Sequence, residues 1–183
     1  MGLIGHNRGP SLDGGGGWRR HCWRVAREAL LPNLPIEVVR LQVKRARDLG
    51  LPYKAYAGIR AQTGHDVVAF LFSSNGLRAG VVQPVVARDV AAKLDALQAV
   101  LRIGLATAPL APSALAQNTC LDRTAAAPHA LAPERQAAQT LREVLHKIPA
   151  DRVVLVGMGD LERDWVSTAR LAGWVAADHY FSA

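Results

Sequence analysis

The sequence predicts an α/β protein: a basic N-terminal helical region followed by a small three-layer domain with a mainly parallel sheet. Three observations carry that expectation. Two apolar runs of strand length, Val67-Val68-Ala69-Phe70-Leu71-Phe72 and Val153-Val154-Leu155-Val156, have the composition of strands covered on both faces. Amphipathic helical stretches alternate with such runs, and strand–helix alternation implies parallel strands joined by right-handed crossovers. Charge is segregated: residues 1–66 hold 11 Lys/Arg against 5 Asp/Glu, whereas residues 67–183 hold 11 against 10.

Residues 1–17 end in Gly14-Gly15-Gly16-Gly17 and are expected to form a flexible tail. Residues 18–66 form the basic helical region. Over residues 18–31, Trp18, Cys22, Val25 and Ala29 recur at helical spacing, while Arg20, Arg24 and Arg27 share another face. Beyond Pro32 and Pro35 the arrangement repeats, with Ile36, Val39, Val43 and Ala46 as the apolar stripe and Arg40, Lys44 and Arg47 as the cationic one. No acidic residue falls within either triplet. A solvated face and a phosphate-facing surface both fit such a stripe.

Residues 67–183 form the α/β domain. Its first strand ends near Phe72, and Val86, Val90, Leu94 and Leu97 place a helix near residues 86–100. Ile103-Gly104-Leu105-Ala106 is a short strand. The Ala- and Pro-rich stretch 109–132 is expected to be a long connection or insertion. Ala138, Leu141, Val144 and Leu145 mark a helix over 134–147, the strand at 153–156 follows, and a last helix covers 161–172. Val81-Val82 and residues 178–181 are expected to add edge strands. The layering resembles the Rossmann type.

Composition narrows the function classes. Half of the residues are hydrophobic, enough for a sizeable core. The longest uncharged stretch, 103–121, is interrupted by Pro109 and Pro112 and makes a poor membrane span. No apolar signal segment follows the N-terminus, so a soluble, cytoplasmic protein without a membrane partner is expected. Two cysteines, Cys22 and Cys120, fit a reduced compartment. The six histidines lack metal-ligand spacing, so no metal site is read and no cofactor is implied.

Two segments carry candidate sites. Ala46, then Gly50 four residues on, then Ile59 nine after that, resemble the packing positions of a helix-turn-helix over residues 36–62, with Tyr56 where a β-branched aliphatic is usual. That resemblance implies that Tyr53, Lys54, Tyr56 and Arg60 lie on or beside a recognition helix, and an ordinary helical hairpin is the alternative. The cationic candidates are then Arg20, Arg24, Arg27, Arg40, Lys44, Arg47, Lys54 and Arg60. The second segment, Gly157-Met158-Gly159-Asp160-Leu161-Glu162-Arg163-Asp164, is a glycine turn at the carboxyl end of a strand opening a helix, where α/β proteins place ligands. Its third glycine position is Glu162, which argues against a dinucleotide fingerprint. A tight turn with Asp160 capping the helix is the plainer reading.

Gly159-Asp160, Asp164 and the following Ala169-Arg170-Leu171-Ala172-Gly173 resemble the acidic metal-site motif of the haloacid dehalogenase-like superfamily, loosely over residues 67–183. The resemblance implies that Thr107 corresponds to that family's phosphate-binding threonine and Lys147 to its lysine. The family's Asp-x-Asp pair after the first strand is absent, and Phe72-Ser73-Ser74-Asn75 stands in its place. Without the carboxylate nucleophile and its share of the cation ligands, the resemblance implies a degenerate, non-catalytic relative. The tag Ile4-Gly5-His6-Asn7-Arg8-Gly9-Pro10 resembles N-termini of alphaproteobacterial and phage-encoded proteins, which implies lineage only. The favoured expectation is a non-enzymatic nucleic-acid-associated or regulatory binding protein. A phosphatase or phosphotransferase using Ser73 and Asp160, and an adaptor for an acidic protein partner, are the alternatives.

Overall fold

All five residues of each of two strands are buried, and the fold is built around them. In the computed structural model, which describes residues 34–182, these strands are β1 (Ala69–Ser73) and β4 (Val153–Gly157). The expected helix over 18–31, with Arg20, Arg24 and Arg27, lies outside the described residues. The chain divides into two compact units, Met1–Val38 and Val39–Ala183, and the sheet belongs to the second.

In chain order the elements are α1 (Ile36–Asp48), α2 (Tyr53–Thr63), β1, α3 (Arg88–Asp95), β2 (Leu101–Ala106), α4 (Pro112–Leu115), β3 (Arg123–Ala126) and α5 (Glu134–Leu145). A single 3₁₀ turn at Ala150–Arg152 leads into β4, followed by α6 (Asp160–Ala169), β5 (Gly173–Ala176) and α7 (Ala177–Ser182). The strands form one five-stranded, all-parallel sheet in the order β3-β2-β1-β4-β5, the fold class that the strand–helix alternation predicts. Ala69 of β1 lies opposite Leu101 on one side and Val153 on the other. The chain runs outward from β1 through β2 to β3, then returns to β4 beside β1. Strand order therefore reverses between β1 and β4, which opens a crevice at their carboxyl ends.

The pleat sorts each central strand's side chains between two cores. Phe70 and Phe72 of β1 and Val154 and Val156 of β4 face one core, closed by Ala46 and Leu49, by Tyr56 and Ile59 of α2, by Val90 and Leu94 of α3, and by Tyr180 of α7. Ala69, Leu71, Val153 and Leu155 face the other, closed by Leu141 and Leu145 of α5 and by Trp165 and Ala169 of α6. The charge-rich helices α1 and α2 thus share a core with the sheet. Between them the chain turns in a Schellman motif, with Leu51 N–H donating to Ala46 O at 2.9 Å and Gly50 N–H to Arg47 O at 3.0 Å. Gly50 takes φ +62° here, a conformation that costs other residues about 1 kcal/mol or more. The Tyr180 hydroxyl donates to Leu49 O at 3.0 Å and fastens this turn to α7.

Four local expectations are corrected. Residues 178–181 are helical, because Ala177 and Tyr180 recur at a helical step and both are buried in the core. Val81 and Val82 lie in a loop closed by Gly80 N–H donating to Gln83 O, and Val82 is 99% exposed. The stretch 109–132 contains α4 and the edge strand β3. The helix expected over 86–100 is limited to Arg88–Asp95, because Ala99 has φ +49° where the chain turns into β2.

The β3 edge is held by an ion pair. Asp122 accepts from Arg102 N at 2.7 Å, Nε at 3.1 Å and Nη2 at 2.7 Å. The Arg102 side-chain hydrogen bonds hold the Asp122 carboxyl below the usual carboxylate range, against the opposing effect of its partial burial. A carboxyl depressed in the folded state contributes stability that is complete above its unfolded value of about 3.9 and is lost as pH falls through the folded value. Urea unfolding followed from neutral pH downward is therefore expected to show an acid loss of stability that is smaller in Asp122→Asn. An identical pH profile in the variant would contradict this assignment.

Candidate functional site

The crevice between β1 and β4 is filled from within by a carboxylate. β4 ends at Gly157, the chain turns through Met158 and Gly159, and α6 begins at Asp160. Gly159, at φ +88°, is the N-cap and supplies no side-chain bond, so the expected cap by Asp160 does not form. Glu162, in the first turn of α6, instead folds back under the turn and is 2% exposed. Its Oε2 accepts from Ser73 Oγ at 2.6 Å and from Met158 N–H at 2.6 Å, and its Oε1 accepts from Asn75 Nδ2 at 2.8 Å. Glu162 to Met158 is a variant of the reciprocal bond by which a third-position Glu satisfies a helix start. The bonds to Ser73 and Asn75 reach across the crevice.

The turn after β1 is equally occupied. Ser73 is fully buried, and its hydroxyl oxygen also accepts from Gly76 N–H at 2.9 Å. The Ser74 hydroxyl accepts from Thr107 N–H at 3.0 Å, tying the end of β1 to the end of β2. Above these groups lies an open cleft of about 350 Å³ lined by Ser74, Asn75, Arg78, Ala79, Gly80 and Met158. Arg78, at φ +54°, reaches Asp178 at 3.1 Å in a solvent-exposed pair. A larger depression of about 570 Å³ on α5, lined by Pro133, Arg135, Gln136, Gln139 and Arg142, draws on one helix and its leading proline.

Of the turn residues expected from sequence, Thr107, Gly157 and Gly159 stand at this end of the sheet. Thr107 Oγ1 is buried without a hydrogen-bond partner among the described residues. Asp160 and Asp164 are exposed on α6 and make no bond to the crevice. Lys147 lies between α5 and β4, at the opposite, amino end of the strands. The cation that the acidic motif would require does not fit: both Glu162 oxygens are engaged by neutral donors, and among the described residues no three His, Cys, Asp or Glu side chains could hold a metal ion. Sequence reasoning missed Glu162 as the centre of the site. The available signal was its place three residues after the turn glycine, where a side chain can reach back to the helix start.

The cationic candidates separate by direction. Arg40, Lys44 and Arg47 of α1 and Lys54 of α2 are exposed. Arg60 is half-buried against Tyr56 and is not part of that surface. Tyr56 is buried and donates to Asp66 Oδ1 at 2.8 Å, so its ring packs inward. Arg45, between the outward cations, turns inward and donates to Asp66 Oδ2, Gln98 O and Val67 O at 2.9 Å and to Ala99 O at 3.1 Å. No described helix is long and apolar enough to cross a membrane. No protein family, curated protein or solved structure matches the chain.

The seat of Glu162 depends on Gly157. A Cβ at that position would collide with Glu162 Oε2 and come within 2.8 Å of the Trp174 ring. Gly157→Ala is expected to lower stability by about 1–3 kcal/mol, the usual cost of an extra methyl in a packed core. The midpoint of urea unfolding measures it, and an unchanged midpoint would mean that the carboxylate does not lie over Gly157.

Proposed function

We propose that the protein is a non-enzymatic, nucleic-acid-associated binding protein that meets phosphates with the outward cations of α1 and uses its α/β domain as scaffold and interaction domain. The observation that carries this reading is the division of labour on one helix. Arg45 turns inward to a carboxylate and three carbonyls, and Arg40, Lys44 and Arg47 are exposed at steps of four and three residues. Residues 40–47 hold four cations and no acidic residue, a span whose charge favours an anionic partner. The turn at Gly50 and the start of α2 place exposed Lys54 and the partly exposed Tyr53 ring beyond the C-terminal end of α1.

The outward positions of α2 favour phosphate over base contacts. Gly58 and Ala61 are exposed there and offer no hydrogen-bonding side chain, which leaves Lys54 and Gln62 as the long polar groups. Contacts of this kind set register and affinity more than sequence preference. Such a role belongs in the cytoplasm.

The crevice supports binding over hydrolysis. Ser73, the group standing where a nucleophile would be needed, is fully buried and bonded on both sides, and Asp160 makes no contact with it. Covalent phosphoryl transfer needs an accessible nucleophile.

Binding to a mixed-sequence DNA duplex, followed by fluorescence anisotropy over a range of salt concentrations, tests the proposal. Arg40→Ala/Lys44→Ala/Arg47→Ala is expected to keep the wild-type circular dichroism spectrum. It should flatten the log K against log salt slope by about 2.7, three phosphate contacts' worth. Wild-type affinity in the triple variant, or a salt-independent titration of the wild type, contradicts the proposal. Nuclease-insensitive co-purification with one acidic protein would replace it with the adaptor reading.

A further inference from the structure

The three donors that hold Glu162 come from both sides of the switch point and are all electrically neutral. Ser73 is the last residue of β1, Asn75 lies in the turn two residues on, and Met158 follows β4, so no single loop builds the cradle. Ser73 is oriented before any ligand arrives, because its oxygen accepts from Gly76 N–H and its proton is thereby left to point at the carboxylate. Three donors directed at two oxygens match the acceptor set of a carboxylate. A phosphate would bring further oxygens and a second charge, with no cation among the cradle's donors to meet them. Asn75 and Met158 also line the open cleft of about 350 Å³, so the cradle lies directly beneath a solvent-accessible surface.

We propose that the crevice between β1 and β4 is a carboxylate-binding site occupied in cis, in which Ser73, Asn75 and the Met158 amide form the receptor and Glu162 is the resident ligand. Glu162 thereby keeps external carboxylates out of the crevice while locking the β1 and β4 turns together. Removing its side chain unmasks a site for small monocarboxylates, reached through the cleft. The nucleic-acid reading stands separately, since Arg40, Lys44 and Arg47 take no part in the cradle.

The test is chemical rescue of Glu162→Ala. Thermal unfolding of wild type and variant is measured in sodium formate, sodium acetate, sodium phosphate and sodium chloride at matched ionic strength and pH. The variant is expected to melt below the wild type and to recover saturably in formate or acetate, with the Met158 amide resonance shifting along the same titration. Chloride and phosphate are expected to produce no such recovery, and the wild type no saturable response. Should the variant fail to fold in chloride, refolding in formate supports the proposal, and failure in both salts overturns it. Equal responses to chloride and formate, stronger rescue by phosphate, or a folded variant that ignores formate would each overturn it too. Glu162→Gln is the control: its amide still fills the cradle, so a lowered melting temperature without acetate response is expected. An acetate response in that variant contradicts occupancy in cis.

Discussion

One buried carboxylate holds together the turns at the carboxyl end of the central strands. Taking a carboxylate out of water costs several kcal/mol, and such a group persists only where charge-assisted hydrogen bonds offset that cost. Glu162 has three, and at about 1.5–3 kcal/mol each they are of the size needed to balance desolvation without leaving a large surplus. The group is therefore better understood as specifying geometry than as adding net stability. It fixes where the turn after β1 meets the turn after β4, and these are the loops that would shape any ligand site in a doubly wound sheet. The close approach in turn requires the missing side chain of Gly157.

The same logic separates structure from function among the cations. Arg45 joins α1 to the segments entering β1 and β2 through one carboxylate and three carbonyl oxygens, a set of partners that a compact ammonium could not span. Lys44 and Arg47, on either side of it, are exposed. A single helix thus contributes Ala46 to the core, Arg45 to the frame and Arg40, Lys44 and Arg47 to the surface. In the crevice, Ser73 and Asn75 hold the frame together through their bonds to Glu162.

The strands and helices that bury most area were legible in the sequence, and those that bury little were not. β1 and β4 announce themselves because both faces are covered and the run of apolar residues is unbroken. β3 reads Arg-Thr-Ala-Ala and has no fully buried residue, so neither alternation nor β-branched composition marks it. β5, Gly-Trp-Val-Ala, is half-buried throughout and abuts a helix whose periodicity runs into it. The site was legible only as a location. That Gly157 ends a strand and opens a turn can be read from the chain. That Glu162 enters the core and meets Ser73 cannot, because the partners are 89 residues apart and a charged residue is ordinarily placed at the surface. The split between Arg45 and its neighbours was hidden for the same reason: helical spacing distinguishes faces, but it does not say which cation finds a carbonyl.

Amide hydrogen exchange at Met158 reports most directly on whether Glu162 organises this end of the sheet. Met158 follows the last residue of β4 in an exposed turn and is itself 42% exposed, so the bond from its N–H to Glu162 is what gives the amide a reason to resist exchange. The account predicts protection close to that of the β4 amides, lost when Glu162 is removed. Exchange at the rate of an open loop in the wild type would mean that the carboxylate is not seated in its cradle, and the account would fail.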